Sequence, residues 1–280
     1  MRQQQRLGII WLALALLLTV LLLWGLRQRP SIPFGALASW PFAGKDGEAT
    51  SDTAKEHEFA AEEISLVKTD LQGSSLSVEA SQDGRIRLSF LNGAEAGCTA
   101  TQSGGRLVVT EKKKQGRQDQ ELILRLPSGY SGMLKAESVG GRITVTGLSL
   151  PELAAESVGG AIQVRDCGLE LLEAESVSGA IRADGKFGQL RVETVSGAID
   201  IASTQALRHK SKVESVSGAV RLCLPERSDY SLQFESASGT FTDSITGTNG
   251  RKQGSSVNGT GSVTIAVETV SGALRVEKSR

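Results

Sequence analysis

The sequence predicts an all-β protein: a β-solenoid with coils of about 18–21 residues, preceded by a single N-terminal transmembrane helix. Three observations carry this prediction. One short phrase is repeated seven times, apolar residues around each copy alternate with polar ones, and one long uncharged stretch lies near the N-terminus. Repeats at a fixed period, each too small to bury its own apolar side, are typical of stacked-repeat folds.

The repeated phrase reads Glu-Ser-Val-Ser-Gly-Ala-Ile, with small variations, and its copies are separated by 19, 19, 18, 21, 21 and 33 residues. The 33-residue step contains Asn249-Gly250 and Asn258-Gly259, which are turn-forming pairs, so we expect one coil there with an inserted loop or hairpin. The copies begin at Glu137, Glu156, Glu175, Glu193, Glu214, Glu235 and Glu268.

Apolar residues flank each phrase with a period of two, which indicates strands rather than helices. Around Glu193, for example, Leu190 and Val192 precede the phrase, while Ile199 and Ile201 follow it. Each repeat therefore reads as a strand, a Gly-containing corner, a second strand and a short return of six or seven residues. We expect the corner glycine to supply backbone angles that a residue with a Cβ resists.

The side chains of the two residues that open each phrase should point to opposite sides of the strand. The Ser or Thr after each Glu should point inward and bond the corner backbone, because a small hydroxyl fits there. The Glu should point outward and form a column of like charges, for which two interpretations stay open. One is a solvated ladder; the other is a cation-binding edge, since hard cations take clustered carboxylates. The basic residues expected to relieve the column are Lys135, Arg182, Arg191, Lys212, Arg221 and Arg275.

Residues 7–26 contain no charge and are bounded by Arg6 and Arg27. As a helix this stretch would span about 30 Å, the thickness of a hydrocarbon core. The sequence thus predicts a membrane anchor at 1–29, a flexible tether at 30–63 and the repeat domain at 64–280. A signal peptide cleaved after Ala38 is the alternative. A weak charge bias favours a cytoplasmic N-terminus, hence a single-pass protein of the cell membrane with an extracytoplasmic repeat domain.

A short basic segment between two predicted strands is a further candidate site. We call Lys112, Lys113, Lys114 and Arg117 the basic loop. It is either a soluble hairpin tip or an anchor for an anionic surface polymer or lipid headgroups.

Composition and motifs limit the classes of function that the sequence allows. Net charge is zero, so no nucleic-acid partner is implied. The three cysteines share no metal or redox spacing and are expected to be small buried thiols, and the chain has only two histidines. No nucleophile elbow, phosphate loop or zinc signature occurs. We therefore expect no enzyme, cofactor or metal site.

The chain resembles a known family. The repeated phrase, the two Leu-x-Leu-Pro strands at 124–127 and 222–225 and the closing segment 267–272 resemble the putative-adhesin family of bacterial β-strand-repeat proteins, a group of unknown function. The resemblance covers residues 64–276. With its predicted anchor, the chain is similar to the LiaG-like membrane-anchored type, which is associated with cell-envelope stress systems. The resemblance implies a β-solenoid at the envelope and transfers no catalytic residues.

These observations favour a non-enzymatic, adhesin-like or scaffold module that presents its repeat surface to a protein or an envelope polymer. One alternative is an accessory subunit of a membrane signalling complex. Another is a glycan-active enzyme on a β-helix, which would need paired carboxylates at a cleft. The uniform glutamate column does not look like such a pair.

Overall fold

The structure, a computed structural model, describes residues 56–91, 97–112 and 120–279. Its regular structure is almost entirely β, with a 3-10 turn at Ala61–Glu63. Within the described ranges, no helix is long and apolar enough to cross a membrane, and the predicted span at 7–26 lies outside them. The strands are β1 (Glu56–Ala60), β2 (Leu66–Leu71), β3 (Ser75–Ser81), β4 (Arg85–Leu91), β5 (Cys98–Ser103), β6 (Arg106–Glu111), β7 (Glu121–Pro127), β8 (Met133–Ser138), β9 (Ile143–Thr146), β10 (Ser149–Ser157), β11 (Ile162–Ser176), β12 (Ile181–Thr194), β13 (Ile199–Ser203), β14 (Ser211–Ser215), β15 (Val220–Leu224), β16 (Tyr230–Asp243), β17 (Thr248–Asn258), β18 (Val263–Thr269) and β19 (Leu274–Lys278).

The repeats stack as parallel strands in strict register, coil on coil, in a β-solenoid-like arrangement. The strand before each corner forms a first face, where Ala155 pairs with Ala136 on one side and with Ala174 on the other. The strand after each corner forms a second face, where Ile181 pairs with Ile162 and Ile199. These side chains are almost wholly buried, so the alternating pattern does produce aliphatic ladders inside the stack. The predicted all-β repeat fold is confirmed.

The return between coils differs from the prediction, because in the central coils it is itself part of the sheet. Strand β11 is 15 residues long and β12 is 14 residues long, so each continues through the return, with one shift of register between Val164 and Cys167. The register there pairs Leu169 with Leu150 and with Phe187, and all three side chains are buried. The central coils therefore have a third inward row.

The corner glycines are needed for a reason other than the predicted one. Their φ angles are not in the left-handed region, so backbone freedom is not the constraint. A Cβ added to Gly218 would lie 1.8 Å from the carbonyl oxygen of Gly197 in the neighbouring coil. At Gly160 and Gly179 the corresponding distance is 1.9 Å. The corner excludes a side chain because neighbouring coils pack backbone against backbone there.

The coils are not stacked in the order in which they occur along the chain. Strand β18, with Glu268, lies between β14 and β16, although β16 precedes it in sequence. Strand β17 then pairs antiparallel with β16 as the outermost strand. The predicted hairpin in the 33-residue step is therefore present, but it covers the end of the stack. The other end has the same kind of exchange, because β2 lies between β6 and β8.

The folded domain begins earlier than predicted. Residues Glu56–Ala60, which fall in the predicted tether, form β1 and pair antiparallel with β4. The strand went unrecognised because it is short and its charged residues hide the alternation. Glu58 lies 3.4 Å from both Arg85 and Arg87 of β4. The boundary is therefore at or before Glu56 rather than at residue 64.

Candidate functional site: an acidic ladder

The strand register brings all seven predicted glutamates into one column on the first face. We call this column the acidic ladder. Asp70 of β2 also belongs to it, because it pairs in register with Glu137. Sequence reasoning missed Asp70 since its repeat is degenerate, although the Gly and Ser residues at 73–75 mark the same corner. In spatial order the ladder is Asp70, Glu137, Glu156, Glu175, Glu193, Glu214, Glu268 and Glu235.

The glutamates of the ladder are less exposed to solvent than their outward direction suggests. Glu137 retains 9 % and Glu214 only 4 % of its accessible surface, whereas Glu235 at the end of the ladder is exposed. The remaining glutamates are half-buried. Strands in a sheet are only about 4.8 Å apart, so each carboxylate is covered by the ones above and below it. The expectation of a fully solvated column is therefore wrong for Glu137 and Glu214.

Lysines from an adjacent column form ion pairs with ladder glutamates on either side of its centre. Lys135 lies 2.8 Å from Glu156 and 3.2 Å from Glu137. Lys212 lies 2.8 Å from Glu214. Burial alone would lower the pKa of Lys135, but its hydrogen bonds and ion pairs with Glu156 and Glu137 outweigh this and raise it. These two lysines do what the sequence predicted.

The predicted arginines do not serve the ladder. Arg221 pairs with Asp200 at 3.2 Å and with Glu277 at 2.9 Å, on the second face. Arg275 also pairs with Glu277. Arg191 and Arg182 are exposed and form no ion pair within the described residues. Glu175 and Glu193, at the centre of the ladder, thus form no ion pair with a described lysine or arginine, unlike Glu137, Glu156 and Glu214.

Proton affinity rises at this centre. Burial, and then the charges of Glu156 and Glu173, raise the pKa of Glu175, with Lys135 opposing them. Burial, the charges of Glu214 and Glu175 and a hydrogen bond with Glu214 raise the pKa of Glu193 to about 7. Glu193 therefore holds a proton up to a higher pH than an ordinary glutamate does, because burial and its carboxylate neighbours disfavour its charged form.

The carboxylates form a line and do not converge on a point. Within the described part of the chain, no three His, Cys, Asp or Glu side chains are placed to hold one metal ion. Cys98, Cys167 and Cys223 are all buried, as expected of small structural thiols.

Several corner hydroxyls next to the ladder bond the corner backbone as predicted, whereas those of Ser157 and Ser176 are buried without a hydrogen-bond partner among the described residues. Thr194 Oγ1 accepts a hydrogen bond of 3.0 Å from the Gly197 N–H, and Ser215 Oγ accepts one of 2.8 Å from the Gly218 N–H. One position before the corner glycine, exposed serines donate to the preceding coil. Their bonds to Val carbonyls measure 3.1, 3.3 and 3.3 Å. We call these three, Ser178, Ser196 and Ser217, the serine row.

Glu111 is a buried carboxylate that sequence reasoning missed. It accepts hydrogen bonds from the backbone N–H groups of Gln72, Gly73 and Ser74, at 2.7, 2.9 and 3.1 Å. In later coils such N–H groups bond the carbonyls of the preceding coil. Burial opposes ionisation of Glu111, but these hydrogen bonds and that of the Ser74 hydroxyl outweigh it and lower its pKa. Glu111 therefore takes the place of the missing coil at the end of the corner stack.

The basic loop is described only at its first residue. Lys112 is exposed, and its backbone N–H donates to the Gly97 carbonyl at 2.7 Å. Lys113, Lys114 and Arg117 lie outside the described residues, so the proposed anionic partner stays a prediction.

The chain belongs to the Toastrack DUF4097 family, whose model matches residues 61–207 and 185–277. No curated protein matches the chain. The family match confirms the resemblance noted from the repeats, and the two overlapping matches reflect the internal repetition.

Several solved structures of bacterial proteins are similar to the chain. "A putative adhesin" from Bacteroides fragilis has a TM-score of 0.52 at 11% identity, with 81% of this chain and 98% of that chain covered. "A putative cell adhesion protein" from Clostridium sporogenes has a TM-score of 0.40 at 12% identity, covering 81% of this chain and 100% of the other. A "putative lipid binding protein" from Parabacteroides distasonis has a TM-score of 0.44 at 12% identity, covering 80% and 97%. At these identities the Bacteroides likeness concerns the fold alone.

Proposed function

We propose that the protein is a non-enzymatic, membrane-anchored binding module of the cell envelope. It presents its repeat surface, in an adhesin-like manner, to an extended protein segment or envelope polymer. The observation that carries the proposal is the strict register of the coils, which repeats the same side chains along the stack. A surface that repeats at about 4.8 Å offers equivalent contacts to a partner that is itself extended.

Binding can be tested with the full chain in detergent against isolated envelope polymers, by co-sedimentation. Replacing Ser196 and Ser217 by Lys alters two exposed positions of the serine row without touching the core. We expect polymer binding by the unaltered chain, at least tenfold weaker binding by the double variant, and unchanged melting. Absence of binding to every envelope fraction, with a protein partner also missing from membrane pull-downs, would refute the proposed function.

The anchor and its orientation are tested separately. If residues 7–26 span the membrane with the repeat domain outside, protease added to cells with an accessible outer face should remove the domain. A small membrane-bound stub should remain. Complete protection until lysis would reverse the orientation. A released product that begins at Ser39 would show cleavage after Ala38 in place of an anchor.

A further inference from the structure

The apolar interior of the stack is closed at one end and open at the other. At the C-terminal end β17 covers β16, and Tyr230, Phe234 and Phe241 are each only 1 % exposed. The last strands at the opposite end are β1 and β5, neither of which has a partner on its outer side among the described strands. Phe59 of β1 is only half-buried, although its cross-strand partner Ile86 is fully buried. A stack of repeats requires a covered end, because its interior otherwise meets water.

A groove of about 640 Å³ lies between β1 and β5 at this open end. It is lined by His57, Glu58, Phe59, Glu63 and residues 100–105. The positions of β5 that face the interior here hold Ala100 and Gln102. The residues opposite them in β6, Val109 and Leu107, are larger aliphatic side chains and are fully buried. The last layer of the core is therefore under-filled, and the groove has room for bulky apolar side chains from another segment.

The chain enters the domain at the same end. Glu56, the first described residue, begins β1, and β1 lines the groove. Upstream of it, residues 43–55 are only Ala, Gly, Ser, Thr or charged, and the nearest bulky apolar residues are Trp40 and Phe42, on either side of Pro41. A connection of these 13 residues, rich in small side chains, spans roughly 20 Å. The Trp-Pro-Phe segment is thus within reach of the groove, at an effective concentration in the millimolar range.

We propose that Trp40 and Phe42 of the same chain occupy the groove between β1 and β5 and complete the last layer of the core. Aromatic side chains bury a large apolar area while losing few rotatable bonds, which suits them as anchors. Pro41 between them fixes one backbone angle and so reduces the conformational freedom that docking removes. Docking leaves only residues 30–39 between the predicted membrane span and the folded domain, a consequence that, unlike the docking itself, rests on the proposed anchor.

The direct test is photo-cross-linking of the full chain in detergent, with Trp40→p-benzoylphenylalanine as the probe. We expect cross-links within one molecule to residues 57–63 and 100–105, located by mass spectrometry, at a yield that does not change on dilution. Ala100→Phe fills the groove with a side chain of the domain itself and should lower this yield at least tenfold. Thr99→Phe is the matched control and should leave the yield unchanged, because Thr99 lies on the other side of β5 and does not line the groove.

Thermal unfolding gives a second readout that requires no change in the groove. W40A/F42A should lower the melting temperature of the full chain by about 3 °C or more, because the docked segment stabilises only the folded state. F34A/L37A is the matched control, since it removes bulky apolar side chains from the same region of the sequence, and it should melt like the unaltered chain.

The absence of cross-links to the groove residues, or cross-links that form only between molecules, would overturn the proposal. A yield that Ala100→Phe and Thr99→Phe change equally would also overturn it. So would a W40A/F42A variant that melts like the unaltered chain, or a loss that is equally large in F34A/L37A. Neither measurement involves a polymer or a partner protein, so the docking is tested separately from the proposed function.

Discussion

Replacing Glu193 by Gln should stabilise the protein, and only at neutral and alkaline pH. The folded state raises the pKa of this carboxyl from 4.5 to about 7. Because the unfolded chain releases the proton near 4.5, the stability due to the protonated form is complete below that pH and is lost as pH rises to 7. At 1.36 kcal/mol per pKa unit the full effect is about 3 kcal/mol. Glu193 is only half-buried, so solvent screening reduces this to about 1–2 kcal/mol.

The assay is thermal unfolding of the Glu193→Gln variant and the unaltered chain at pH 4 and pH 8. We expect the variant to melt roughly 2–8 °C higher at pH 8, with almost no difference at pH 4. Glu235→Gln is the matched control, because Glu235 is an exposed member of the same ladder, and it should change stability by less than about 0.5 kcal/mol. A variant that melts lower at pH 8, or that gains equally at both pH values, would refute the raised pKa of Glu193.

Three further predictions concern the core and the corners, each measured by chemical or thermal unfolding. Gly218→Ala should cost several kcal/mol, because its Cβ would lie 1.8 Å from a neighbouring carbonyl oxygen, whereas Gly73→Ala has open space and should be neutral or slightly stabilising. Ile199→Asp buries an unpaired charge and should prevent folding, whereas Asp200→Ala removes only an exposed ion pair and should cost less than about 0.5 kcal/mol; equal effects would contradict the assigned parity. Asp243→Ala should cost about 3 kcal/mol or more, since it leaves buried hydroxyl and backbone donors unsatisfied, and a cost below 1 kcal/mol would show that those hydrogen bonds matter little.

The repeat period and the parity of each position could be predicted because both depend on local alternation. Ile181 and Ile199 are buried and in register as the pattern requires. The degree of burial of the glutamates could not be predicted, because parity gives only the side of the sheet. Glu214 and Glu235 occupy equivalent positions in the phrase, yet one is covered by neighbours on both sides and the other ends the ladder.

The order in which the coils stack also could not be predicted from the sequence. The phrases at Glu235 and Glu268 share the Glu, the corner Ser-Gly and the same alternation of inward and outward residues, so the pattern alone allows either to follow Glu214. What distinguishes them is the long β17 segment, which carries glycines against the ring of Phe241 and so can only lie at an end. Sequence reasoning identified the glycine-rich turns of this segment but could not assign its position.

The exchanged coils at the C-terminal side of the domain have a consequence for biosynthesis. Strand β16 leaves the ribosome before β18, yet β18 has to lie between β14 and β16. A non-native pairing competes during synthesis, because β14 and β16 could pair directly in the same register and leave β18 outside. The native order is therefore completed only after β19 has been translated. In a nascent chain stalled before that point, the place of β18 between β14 and β16 is not yet filled. Translation pausing and premature termination in this stretch are thus expected to feed misassembly and degradation more than they would in a repeat protein stacked in the order of its sequence.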